Sequence, residues 1–234
     1  MISGDHNFHF SAVQLRRALY WLVAFHILVI AGSNYLVQLP LTLLGFHATW
    51  GALTFPFIFL VTDLTVRIFG VRPARRIVFC AMWPALVISY VITVLFRDGN
   101  WTGWVALTQF NLFVARIAMA SFLAYCLGQL MDIFVFSRLR RNLVWWVAPA
   151  AAAVAGNAID TAAFFTTAFY GTDDAYLSQH LLEIACVDYA FKLMVCLLFF
   201  LPAYGVLLNG LTRLLLRRQS LPSDHNHSSS AASS

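Results

Sequence analysis

Apolar runs long enough to cross a lipid bilayer recur along nearly the whole chain, broken only by short polar connections in which arginine clusters. About 20 helical residues at ~1.5 Å each cover a hydrocarbon core of ~30 Å. Inside lipid no water satisfies the peptide groups, so only helices and closed barrels cross it. Runs without polar/apolar alternation select helices. Hydrophobic residues make up 61% of the 234 and charged residues 11%, too few to coat a soluble domain of this length. The sequence therefore predicts an all-α polytopic membrane protein with six transmembrane helices in one bundle, at about 18–37, 50–69, 77–96, 108–131, 147–169 and 183–208. A polar segment, 1–17, precedes the bundle; the six-helix domain is 18–212, and 213–234 is a cytoplasmic tail whose low-complexity end is expected to be disordered. The first run is long for a signal peptide and shows no A-x-A-like cleavage site, so it is expected to be retained.

Orientation follows from the arginines. If the six runs alternate, Arg16, Arg17, Arg72, Arg75, Arg76, Arg138, Arg140, Arg141, Arg213, Arg217 and Arg218 share one side and Arg97 alone falls on the other. The positive-inside rule then places both termini in the cytoplasm, and the loop 172–180, with Asp173 and Asp174 and no base, outside. The net charge of +5 is topological: the bases sit in clusters between apolar runs and not along one amphipathic face, so no nucleic-acid partner is expected. Cys80, Cys126, Cys186 and Cys196 lie in or beside apolar runs, and no CxxC pair or Cys/His metal spacing occurs. Of seven histidines only His26 falls in a span, so neither a metal nor another cofactor is expected.

Charge inside the spans is what points to function. Three acids, Asp63, Asp160 and Asp188, and three bases, Arg67, Arg116 and Lys192, lie in apolar surroundings. An ion at the bilayer centre costs roughly 2.5–3.5 kcal/mol on the translocon scale, so each must face protein or water. Asp63 and Arg67 stand i,i+4, acid first, the favoured order for an intrahelical pair, and Asp188 and Lys192 repeat that spacing. Asn157 and Asp160 share a face beside Gly156, and Asn34 and Gln38 share one near the end of the first span. Equal numbers of acids and bases fit a buried ion network that holds the bundle together. They also fit a polar cavity that opens outward among Asn34, Arg116, Asp160 and Lys192 and narrows toward Asp63. Pro56, Pro84 and Pro202 fall inside spans and predict tolerated kinks. No HExxH, GxSxG or SxxK motif suggests an enzyme, no filter loop suggests a channel, and no repeat between the halves is evident.

Taken together, SNYLVQLP at 33–40, TFPFIFLVTDLTVRIFG at 54–70, NLFVARIAMASFLAYCLGQLMD at 111–132, GNAIDTAAFF at 156–165 and VDYAFKLMVCLLFFLPAYGVLLN at 187–209 resemble the queuosine precursor transporter family of bacterial inner membranes, also called the vitamin uptake transporter family. The resemblance covers about 10–212. The position of Arg67 is acidic in much of that family, so a general role for this base is not implied. The resemblance implies uptake of 7-cyano-7-deazaguanine and its 7-aminomethyl relative, a purine-like small molecule, for salvage into tRNA queuosine. It suggests Asn34, Arg116, Asn157, Asp160, Asp188 and Lys192 as substrate-binding residues, with Asp63 and Arg67 gating or coupling. Two other readings stay open: a substrate-capture subunit for a separate energising complex, and a membrane assembly protein without transport. The energising partner is not specified by the sequence.

Reporters active only in the cytoplasm, fused at either terminus, are expected to be active. Activity confined to reporters of the opposite compartment would reverse the orientation.

Overall fold

The computed structural model describes residues 10–36, 39–43, 46–54, 56–97, 99–141, 144–171 and 181–219. Gln38, the loop 172–180 and the tail beyond 219, each given an expectation above, lie outside the described residues. Where apolar runs predicted helices, helices form: α1 (Ala12–Leu36), α2 (Trp50–Thr54), α3 (Pro56–Ile68), α4 (Val71–Leu95), α5 (Leu112–Leu139), α6 (Val147–Phe169), α7 (Leu181–Val195) and α8 (Leu201–Gln219). A π-helical turn, Cys196–Phe200, joins α7 to α8 without a break, and Leu201 N–H bonds Cys196 O. Among the described residues five helices are long and apolar enough to cross a membrane: α1, α4, α5, α6 and the continuous stretch Leu181–Leu216. This is a multi-pass membrane protein. Two short antiparallel ladders sit in the connections, β1 (Pro40–Leu43) with β2 (Phe46–Thr49) and β3 (Phe96–Arg97) with β4 (Asn100–Trp101).

Within the apolar segment 50–69 the described helices are α2 and α3, on either side of Phe55, which lies outside the described residues, so the expected kink at Pro56 falls at the edge of what is described. α3 is packed inside the bundle, with Ile58, Thr62, Asp63 and Val66 buried. Pro84 lies inside α4, which continues through it, and Pro202 lies in the first turn of α8. One difference concerns α5. The sequence predicted a span ending at Met131, but the helix runs to Leu139 and carries Asp132 into the core.

The antiparallel pair α5 and α6 packs most closely of all. An ideal Cβ on Gly128 would lie 2.9 Å from Asp160 Cβ and 3.2 Å from Gly156 O. One on Gly156 would lie 3.1 Å from Asp132 Cβ, 3.3 Å from Gly128 O and 3.0 Å from the Phe59 ring. Each glycine thus makes room for the aspartate of the other helix, as small residues do where membrane helices approach closely. Polar links tie α1 and α3 to this pair. Buried His26 of α1 places Nδ1 2.8 Å from Leu22 O and Nε2 3.2 Å from Thr62 Oγ1, and the Thr62 hydroxyl donates to Gln129 Oε1 at 2.6 Å.

Helix C-termini expose carbonyls with no partner in the helix, and here arginines fill that need. Arg140 donates to Val66 O at 3.0 Å and Arg67 O at 3.3 Å, capping α3, while Arg67 donates to Arg140 O at 3.0 Å, capping α5.

Gly128→Val is expected to destabilise the bundle by roughly 1–3 kcal/mol through overpacking, read as a lower unfolding temperature in detergent. Gly210→Ala, at a position with nothing within 4 Å, is the control and should not lower it. Equal behaviour of the two would show that α5 and α6 can separate freely.

Candidate functional site

One end of the bundle encloses a cavity of about 210 Å³. It lies among the C-terminal halves of α1, α4 and α6, the N-terminal half of α5, and α7. Its charged wall is built on α6 and α7. The α-helical spacing puts Asp188 and Lys192 one turn apart, and the packing of α7 against α6 brings both to Asp160. Lys192 Nζ lies 3.1 Å from Asp160 Oδ2 and 2.7 Å from Asp188 Oδ2, and it donates to Thr161 Oγ1 at 3.3 Å. Thr161 in turn donates to Asp188 Oδ2 at 3.2 Å. Side-chain exposure is 4% for Asp160, 12% for Lys192 and 28% for Asp188, so Asp188 is the carboxylate an incoming ligand meets first. Two carboxylates share one ammonium, which leaves this wall with one net negative charge and unused acceptor lone pairs. Across the cavity Asn34 Nδ2 donates to Ser89 Oγ at 2.5 Å, leaving its carbonyl oxygen to a visitor. Phe122, Tyr125, Phe164 and Phe165 supply aromatic surface. The cavity can therefore receive a flat ring whose edge offers N–H donors to a carboxylate and a carbonyl to an ammonium.

A second, much smaller cavity of about 20 Å³ lies deeper, lined by Pro56, Phe59, Asp63, Pro149, Cys196 and Tyr204. That is room for about one water.

Of the sequence-predicted residues, Asn34, Asp160, Asp188 and Lys192 meet on the large cavity. Asn157 is one turn below Asp160 and fully buried, donating to Ala153 O at 2.8 Å with Nδ2 3.6 Å from Cys196 Sγ. Arg116 is not on the wall and pairs with neither acid. It caps α6, Nε donating to Thr167 O at 2.9 Å and Nη2 to Tyr170 O at 2.5 Å. Asp63 lines the small cavity, and the i,i+4 ion pair with Arg67 does not form, because Arg67 is engaged by the end of α5. The equal count of acids and bases is thus not a set of three pairs: one lysine serves two acids and two arginines serve carbonyls.

The partner that Asp63 does have is Asp132, whose carboxyl group is near enough to interact with it directly. Sequence reasoning missed Asp132 because the apolar run was ended one residue before it. The signal was present as a short repeat: GQLMD at 128–132 and GNAID at 156–160 share Gly, a carboxamide and Asp at equal spacing. On antiparallel helices that repeat generates the reciprocal Gly–Asp contacts described above.

A family model described as "Putative vitamin uptake transporter" matches residues 49–207. The chain is similar to the "Queuosine precursor transporter" of Escherichia coli (strain K12), with 58% identity over 91% of this chain and 96% of that protein. It is 52% identical to a "Probable queuosine precursor transporter" of Haemophilus influenzae, covering 88% of this chain and 93% of that one. A Bacillus subtilis protein of the same description is 27% identical over 74% and 77%. No solved structure matches the chain.

Lys192→Met is expected to cost on the order of 3–5 kcal/mol, since it strands two carboxylates, and adding Asp160→Asn should recover part of that in thermal unfolding. Equal destabilisation of the single and double variants would show that Lys192 does not neutralise Asp160.

Proposed function

The chain belongs to the vitamin uptake transporter family, and from that premise we propose that it is a transporter that imports queuosine precursors, 7-cyano-7-deazaguanine and its 7-aminomethyl relative, across the bacterial inner membrane. The observation that carries this reading is the clamp of Lys192 between Asp160 and Asp188 on a cavity walled by aromatic rings. A deazaguanine ring presents N1–H and an exocyclic amine side by side, a donor pair that one carboxylate accepts, next to a carbonyl that accepts from an ammonium. Asp188, the more exposed acid, takes the donor edge. Lys192 turns to the carbonyl, and Asp160 holds Lys192 in place. Asn34 reads the far edge of the ring from α1, and the flat faces stack on phenylalanine. Arg116 and Asn157 act behind this wall, the first by fixing the end of α6 and the second by supporting the turn that carries Asp160.

In this reading the cavity opens outward, both termini are cytoplasmic, and the α2–α3 segment makes the sixth crossing. Asp63 lies on the inner side of the cavity, where Arg67 and Arg140 clasp α3 to α5 and close the way to the cytoplasm.

In cells unable to make the deazaguanine precursor and fed it at limiting concentration, only those carrying the chain should accumulate queuosine in tRNA. Asp160→Ala should abolish that gain with membrane insertion intact. A charged hydrogen bond of about 1.5–3 kcal/mol makes the expected loss at least tenfold. Normal queuosine without the chain, or normal uptake by the variant, would overturn the assignment.

A further inference from the structure

Buried polar atoms without a hydrogen-bond partner are concentrated along one column of the bundle. Tyr125 Oη, the Gln129 amide, Asn157 Oδ1, both carboxylate oxygens of Asp132, Asp63 Oδ1 and Tyr204 Oη all receive or make no bond to another described residue at the atoms concerned. Native interiors satisfy nearly all such groups, so a file of them needs a cause. On α5, Tyr125, Gln129 and Asp132 are spaced four and three residues apart and share one face. Tyr125 lines the large cavity, and Tyr204 and Asp63 line the small one.

Among the described residues no lysine, arginine or histidine forms an ion pair with either Asp63 or Asp132. Asp63 and Asp132 are 4% and 0% exposed. Facing them are Cys196 of the π turn and Tyr204 of α8; toward the cavity come Asp160 and Lys192, which are committed to one another. His26 reaches this region only through Thr62 and Gln129, and Arg67 and Arg140 hold backbone carbonyls. The charged and thiol groups of α4, Arg72, Arg75, Arg76 and Cys80, are exposed. Two ionised carboxylates cannot remain dry and adjacent without a counter-ion, each costing several kcal/mol. One O–H shared between them supplies the missing donor.

We propose that Asp63 and Asp132 form a proton-binding pair, loaded from the outer cavity along the Tyr125, Gln129 and Asn157 file, and that uptake carries one proton inward with each neutral substrate. This rests on the transporter reading above. The proton comes from outside water onto the pair and leaves to the cytoplasm when the small cavity opens. The π turn at Cys196, beside that cavity, gives it the means to do so.

The test uses the purified full chain in liposomes, radiolabelled 7-cyano-7-deazaguanine, and a membrane potential clamped at zero. With the outside one pH unit more acid, one proton per substrate permits about tenfold accumulation, since one unit corresponds to a factor of ten. A protonophore should abolish this. Asp132→Asn should still exchange internal for external substrate, showing that it is folded, yet rise only to the equilibrium level; Asp63→Asn gives an independent second case. Wild-type exchange with no accumulation in the gradient would overturn the proton pair and leave the transporter reading standing. Absence of both uptake and exchange by folded wild-type chain would overturn the two together.

Discussion

The distance between α5 and α6 sets most of what the bundle can do. Gly128 and Gly156 remove the side chains that would hold the helices apart, and each vacated place is taken by the aspartate of the opposite helix. Asp160 is thereby held against α5 at the floor of the large cavity, where Lys192 can reach it. Asp132 is held against α6 at the level of Asp63. Small residues at a membrane helix interface usually allow van der Waals packing. Here they also bring two acids into the core from opposite ends of one contact, one neutralised by a lysine and the other not.

Carboxylates and helix ends compete for the few bases available. A guanidinium donates through a planar fork and suits the several carbonyls at a helix C-terminus, whereas a lysine ammonium is a compact charge suited to sitting between two carboxylates. The distribution follows that chemistry. Arg67, Arg116 and Arg140 cap helices, and Lys192 bridges acids. Capping three C-termini fixes α3, α5 and α6 lengthwise, and the cavity wall inherits its geometry from that alignment.

The helical class, the span 147–169 and the pairing of Asp188 with Lys192 were legible because each follows from local spacing and from the intolerance of lipid for unpaired charge; that Asp160 joins them depends on how α7 packs on α6. The Asp63–Arg67 pair was misjudged for the same local reason. Intrahelical spacing says which residues can touch, but not whether the C-terminus of another helix, here α5, binds the guanidinium better. Asp132 was hidden because an apolar run was taken to stop at the first charge after Met131, whereas α5 continues as long as the neighbouring helix offers it a glycine to lie against.

The π turn has a consequence for helical phase. Lys192 and Tyr204 are 12 residues apart on one continuous helix, and at about 100° per residue an undisturbed α-helix would point them some 120° apart. A π turn absorbs one extra residue, and counting 11 steps instead of 12 brings the two directions to within about 20°. Asp188, Lys192, Cys196 and Tyr204 then form one stripe, and a single helix face looks into both cavities. A rotation of that helix would move both linings at once, in the manner of a camshaft that keeps two valves in time.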